Sequence, residues 1–87
     1  PEDPSLGIEG QTQQVLEAID KLLARAGTDK SKLLMVQIFL VDLNDFEGMN
    51  KVWDAWVAPG HAPPRATVQA HLASPQWRLE VVATAAV

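Results

Sequence analysis

Residues Leu33-Leu34-Met35-Val36-Gln37-Ile38-Phe39-Leu40-Val41 run almost unbroken through apolar side chains, with Gln37 alone interrupting them. The run is short for a helix and rich in residues that suit extended chain, so it reads as a strand buried on both faces. A strand of that kind obliges the rest of the chain to provide two covers, one for each face of its sheet.

The first cover lies upstream. Between Gln11 and Ala26, Val15, Leu16, Ile19, Leu22, Leu23 and Ala26 recur at helical spacing, and Gly27 supplies a left-handed stop. Pro1 to Gly10, with two prolines and two glycines, reads as an extended lead-in. Downstream, Asp42-Leu43-Asn44-Asp45 breaks the strand pattern, and Asn44 with Glu47 has the spacing of a capping box. Phe46, Met49, Val52, Trp53, Trp56 and Val57 then give a second helix its buried stripe, which Pro59-Gly60 and Pro63-Pro64 bring to an end.

Two runs alternating polar and apolar follow, Arg65–Ala73 and Arg78–Thr84, with Ser74-Pro75-Gln76-Trp77 as a turn between them. The spacing predicts an antiparallel hairpin whose open end brings Arg65 and Glu80 within range. Arg65, Thr67, Gln69 and His71 would share one face, and Ala66, Val68, Ala70 and Leu72 the core face. The order helix, strand, helix, strand, strand predicts an α+β fold with both helices on one face of the sheet. The other face, with Gln37, Thr67, Gln69, His71 and Thr84 among Met35, Phe39, Val82 and Ala86, is too apolar for open solvent. It predicts an interface, most economically with copies of the same chain.

Composition bounds the function. At 87 residues there is room for one domain, and 47% hydrophobic with 21% charged residues is ordinary for a globular fold. A net charge of −4 with scattered Lys and Arg argues against a nucleic-acid partner, since neutralising phosphates needs a basic face. Without cysteine there is no disulfide or thiolate metal site, which fits a reducing cytosol and predicts a cytoplasmic location. No apolar run reaches membrane-spanning length. His61 and His71 lack a third ligand at useful spacing, so no metal is expected; Ser5, Ser31 and Ser74 lack a nucleophile-elbow context, and no glycine-rich phosphate loop occurs.

Arg65 and Glu80 are the residues that carry chemistry. A guanidinium offers a planar fork of donors suited to a carboxylate, and a nearby glutamate can orient water. The alternative is a structural ion pair at a subunit interface, because Glu80 between Leu79 and Val81 needs a partner, Arg65 or Arg78, to offset desolvation. Asn50 and Thr67 read equally as a helix-surface amide and a β-branched strand residue. Trp53, Trp56 and Trp77 read as packing.

The run Met49-Asn50-Lys51-Val52-Trp53-Asp54-Ala55-Trp56, then Pro64-Arg65-Ala66-Thr67-Val68, then Leu79-Glu80-Val81, resembles the signature of the RidA (YjgF) family of imine deaminases, near a divergent YoaB-like branch. The likeness extends over nearly the whole chain from Ile8. It implies a sheet like that of bacillary chorismate mutase, closed by three copies into a barrel with clefts between subunits. It also implies a β-hairpin before the first helix, which the ten lead-in residues cannot supply, so the hairpin is expected to precede this sequence. By the resemblance, Arg65 grips the carboxylate of a 2-imino acid or its enamine tautomer. Glu80 orients the attacking water, the Thr67 backbone shares it, and Asn50 helps shape the pocket or holds a neighbouring loop. The expected activity, which needs no cofactor, is hydrolytic deamination to a 2-keto acid and ammonia. The alternative is a non-catalytic trimer that binds a small carboxylate such as a keto acid. Thr67 stands where the best-known members carry cysteine, a difference of little weight if that position contributes its backbone.

Overall fold

The computed structural model describes residues 7–74 and 76–86. Helix α1 spans Ile8–Arg25, strand β1 Leu33–Leu40, helix α2 Phe46–Trp56, strand β2 Arg65–Gln69 and strand β3 Leu79–Ala85. Element types and order agree with the sequence reading. Both helices pack on one face of a three-stranded sheet, an α+β arrangement.

Helix α1 begins earlier than expected: Ile8–Gly10 are helical rather than extended, and Pro1–Leu6 of the expected lead-in lie outside the described residues. Its end follows the glycine signal. Gly27 adopts φ +79, the Thr28 amide donates to the Leu23 carbonyl at 2.9 Å, and the Gly27 amide donates to that of Ala24 at 3.1 Å. That is a Schellman closure, which satisfies carbonyls the helix leaves free.

The expected capping box does not form. Asp42, not Asn44, is the cap: its carboxylate accepts from the Asn44 amide at 2.9 Å and starts a short 3₁₀ turn, Leu43–Asp45, that runs into α2. Four residues of Asp42–Asp45 therefore act in sequence, turn first and helix second.

Strand pairing departs most from expectation. The sheet order is β2-β1-β3, so β2 and β3 do not form a hairpin; each pairs with β1. β2 is parallel to β1, with Arg65 beside Val36 and Thr67 beside Ile38, whereas β3 is antiparallel, with Glu80 beside Phe39. Strand, helix and parallel strand form a βαβ unit, for which the α2 crossover supplies the needed length.

Side chains beside one another in paired strands share a face. Val36, Ile38 and Leu40 are buried under the helices, in a core with Leu16, Leu23, Met49, Trp53, Trp56 and Leu79. Arg65 and Thr67 therefore lie on the helix face. Ala66 and Val68, expected in the core, lie on the open face with Met35, Gln37, Val82 and Thr84. Val68 and Val82 are each 46% exposed there.

Polar contacts knit the helices to the sheet. Gln11, fully buried, accepts from the Arg78 amide at 2.8 Å and donates to the Gln76 carbonyl, so α1 clamps the segment entering β3. The Trp56 indole donates to Asp20 at 2.9 Å, joining α2 to α1, and Lys30 donates to the Trp56 carbonyl with its ammonium 5.1 Å from the same ring. At Gly48 the helices approach so closely that a Cβ would stand 2.7 Å from Ile8 Cγ2. Among the described residues no helix is long and apolar enough to cross a membrane.

Candidate functional site

Strand β2 lies at an edge of the sheet, and its hydrogen-bonding parity decides what it offers there. The Val36 amide donates to the Pro64 carbonyl at 3.0 Å and the Ala70 amide to the Leu40 carbonyl at 2.9 Å, which bracket the strand with even-numbered residues. In a parallel ladder the alternate residues turn their amides away. The backbone N–H groups of Arg65, Thr67 and Gln69 thus face outward, while the Arg65 and Thr67 side chains lie against the helix layer.

Arg65 meets one stripe of α2, formed by Phe46, Asn50 and Trp53 at i, i+4 and i+7. Its Nη1 donates to Asn50 Oδ1 at 2.6 Å, and its guanidinium carbon lies 5.3 Å from the Trp53 ring centre and 5.8 Å from that of Phe46. Both ring contacts are within cation–π range. The ion pairs among the described residues are Lys51 with Glu9 and Arg78 with Asp45, each at 3.3 Å. No carboxylate among those residues pairs with Arg65. Among the described residues, this half-buried cation therefore has one donor on a neutral amide and two π walls, and the rest of its fork unspent.

Thr67 adds a second unspent group. Its Oγ1 is buried with no hydrogen-bond partner among the described residues, two positions along β2 on the Arg65 face. Buried hydroxyls are seldom left so.

Glu80 does not join them within one chain. It lies on the opposite face of the sheet, exposed, beside Phe39. Two strand spacings sideways and three residues along the strand separate it from Arg65, about 14 Å between Cα atoms by standard sheet dimensions. The expected Arg65–Glu80 proximity is thus corrected by the pairing order. Glu80 also makes no pair with Arg78, whose guanidinium turns to Asp45 instead. The sequence reading gave Phe46 and Trp53 only to the helix core; their spacing with Asn50 was the signal that they share a face with it.

A groove of about 550 Å³ lies elsewhere, between α1 and β3, lined by Val15, Ile19, Leu72, Trp77, Glu80 and Val81 among others. It is mostly apolar, and Arg65 does not line it. The polar donors mark the candidate site more reliably than the volume does, because an anion needs donors first.

Comparison with known proteins agrees with this assignment of elements. Residues 3–87 match the family model described as Endoribonuclease L-PSP. A RutC family protein of Haemophilus ducreyi is 52% identical over 87 residues, covering all of this chain and 74% of that protein. The RutC family protein YoaB of Escherichia coli is 48% identical, covering all of this chain and 76% of its own length. A crystal structure of a YjgF family member from Neisseria meningitidis superposes with a TM-score of 0.94 at 48% identity, over 98% of this chain and 71% of that one. More distantly, the chloroplastic Reactive Intermediate Deaminase A of Arabidopsis thaliana is 35% identical over 65 residues, 75% of this chain and 34% of that protein. On sequence and fold together, the chain belongs to the L-PSP family, also called YjgF and RidA.

Proposed function

We propose that this chain hydrolyses reactive 2-imino acids, or their enamine tautomers such as 2-aminoacrylate, to 2-keto acids and ammonia. The observation that carries the reading is Arg65: a half-buried guanidinium oriented by Asn50 and two rings, with no carboxylate beside it among the described residues. Such a fork suits a carboxylate held by two parallel N–H donors. The distant relative named as a reactive intermediate deaminase supports the same chemistry.

In this reading the enamine first takes a proton on its terminal carbon to become the imine. Water then adds to the imine carbon, forming a C–O bond while the nitrogen takes a proton. The tetrahedral adduct collapses: the hydroxyl proton passes to the nitrogen, the C–N bond breaks, ammonia leaves, and the keto oxygen remains. Glu80 orients the attacking water and receives its proton. Because Glu80 lies on the face opposite Arg65, in this reading it reaches the bound imine from a second copy of the chain, at the β2 edge. A homotrimer with clefts between subunits provides that arrangement. The outward amide of Thr67 supplies a further donor at the sheet edge.

The test is ammonia-forming turnover of freshly generated 2-aminoacrylate, and of one bulkier imino acid, by the full-length protein and by Arg65→Ala. Turnover in the wild type, lost in a variant that assembles normally on size exclusion, supports the deaminase. A correctly assembled wild type with no rate above background, yet binding a keto acid, would favour the second reading, a non-catalytic carboxylate-binding protein. The distance between Arg65 and Glu80 within one chain keeps that reading in view.

A further inference from the structure

Three contacts fix the Arg65 guanidinium, and two of them are aromatic. The Asn50 amide engages Nη1 alone, which sets one point and leaves the plane of the fork free to turn about it. Trp53, 5% exposed, and Phe46, 37% exposed, flank it at 5.3 and 5.8 Å. Neither ring accepts a conventional hydrogen bond from it, so they constrain the group without consuming its donors. They also displace water from it, and a guanidinium stripped of water attracts an anion more strongly than a hydrated one. The rings are not equivalent. Trp53 also packs on Trp56, centroid to centroid at 5.5 Å, and belongs to the core. Phe46 opens α2 and keeps over a third of its surface exposed, more than a core role requires.

We propose that Phe46 and Trp53 are positioning residues that clamp the Arg65 guanidinium for carboxylate capture. The inference rests on the carboxylate-gripping reading of Arg65 and adds to it how the grip is aimed. Since the rings act on a part of the substrate that does not react, their loss weakens substrate and transition state alike. KM rises while kcat holds.

The experiment measures binding of 2-ketobutyrate to the full-length protein by calorimetry, with KM and kcat for a 2-imino acid alongside. Phe46→Leu is expected to weaken binding and raise KM about threefold to fivefold, the range of an exposed cation–π contact, with kcat unchanged. Phe46→Tyr, which restores the ring, returns both to the wild-type values. Trp53→Leu should weaken binding about tenfold or more and Trp53→Phe much less. Because Trp53 is buried, melting curves are taken for all four, and Phe46→Leu decides if Trp53→Leu does not fold. Wild-type affinity in folded Phe46→Leu, or a fall in kcat at constant KM, would overturn the clamp while leaving the carboxylate reading intact. A wild type that binds no 2-ketobutyrate and turns over no imine overturns both.

Discussion

Arg65 Nη1 donates to Asn50 Oδ1 at 2.6 Å, spanning the gap between the first residue of β2 and the middle of α2. The acceptor is a neutral amide, and that neutrality matters. A carboxylate in its place would satisfy the guanidinium from within the chain and compete with any incoming anion.

Asn50→Asp tests this directly. An internal ion pair should form at the same spacing, weakening 2-ketobutyrate binding by about tenfold or more, while the melting temperature stays at or above that of the wild type. Asn50→Ala should weaken binding less. Calorimetry and thermal melting of the three proteins check it; equal affinity in all three would remove Asn50 from the grip.

Gly48 makes a prediction about the helix pair. Alanine there normally gains about 1 kcal/mol of helix propensity, but its Cβ would press on Ile8 Cγ2 at 2.7 Å. Gly48→Ala should therefore destabilise by about 1 kcal/mol net, the cost of overpacking exceeding the gain. In an Ile8→Ala background the same change should stabilise. Four melting curves close the cycle, and a stabilised single variant would contradict the close approach.

The open face of the sheet predicts assembly. Val82 is 46% exposed beside Gln37, on the face opposite the helices. Val82→Arg should convert a wild-type oligomer to monomer by light scattering, because a cation cannot be buried unpaired between apolar faces. An unchanged mass would show that this face is not the contact.

Asp29 predicts a pH effect. Its side chain accepts from the Ser31 hydroxyl and from the Ser31 amide, and these bonds hold its carboxyl below the ordinary aspartate value of 3.8. A group whose pKa is lowered by folding adds stability above its unfolded value and loses it as pH falls through the folded value. Asp29→Asn should flatten the acid limb of stability below pH 3.8. Parallel limbs in chemical denaturation would argue that the bonds do not persist.

Element types were legible because their signals are local. Helical stripes, the Gly27 stop and the β-rich run at Leu33 depend on neighbours a few residues away. Pairing depends on partners far along the chain. The turn between Leu72 and Arg78 suits a hairpin, and only the α2 crossover, which makes a parallel β2 possible, argues for the order found. Face assignment failed for a related reason. Alternation at Ala66 and Val68 fixes which residues point together, not which side the helices cover, and a sheet apolar on both faces gives no further sign. Arg65 was legible as a candidate from its chemistry, and its proposed role stays a proposal; that Glu80 lies across the sheet from it was not legible, since that follows from strand order.

The bond from the Val36 amide to the Pro64 carbonyl has a consequence for how such chains diversify. It anchors the backbone one residue before Arg65, so the guanidinium takes its place from the sheet and not from the segment that leads to it. The stretch from Val57 to Pro63 is then free to lengthen, shorten or change character among descendants of this fold. If Arg65 grips an acid group as proposed, new rims can be tried around that grip, and substrate range can drift while its backbone anchor stays in place.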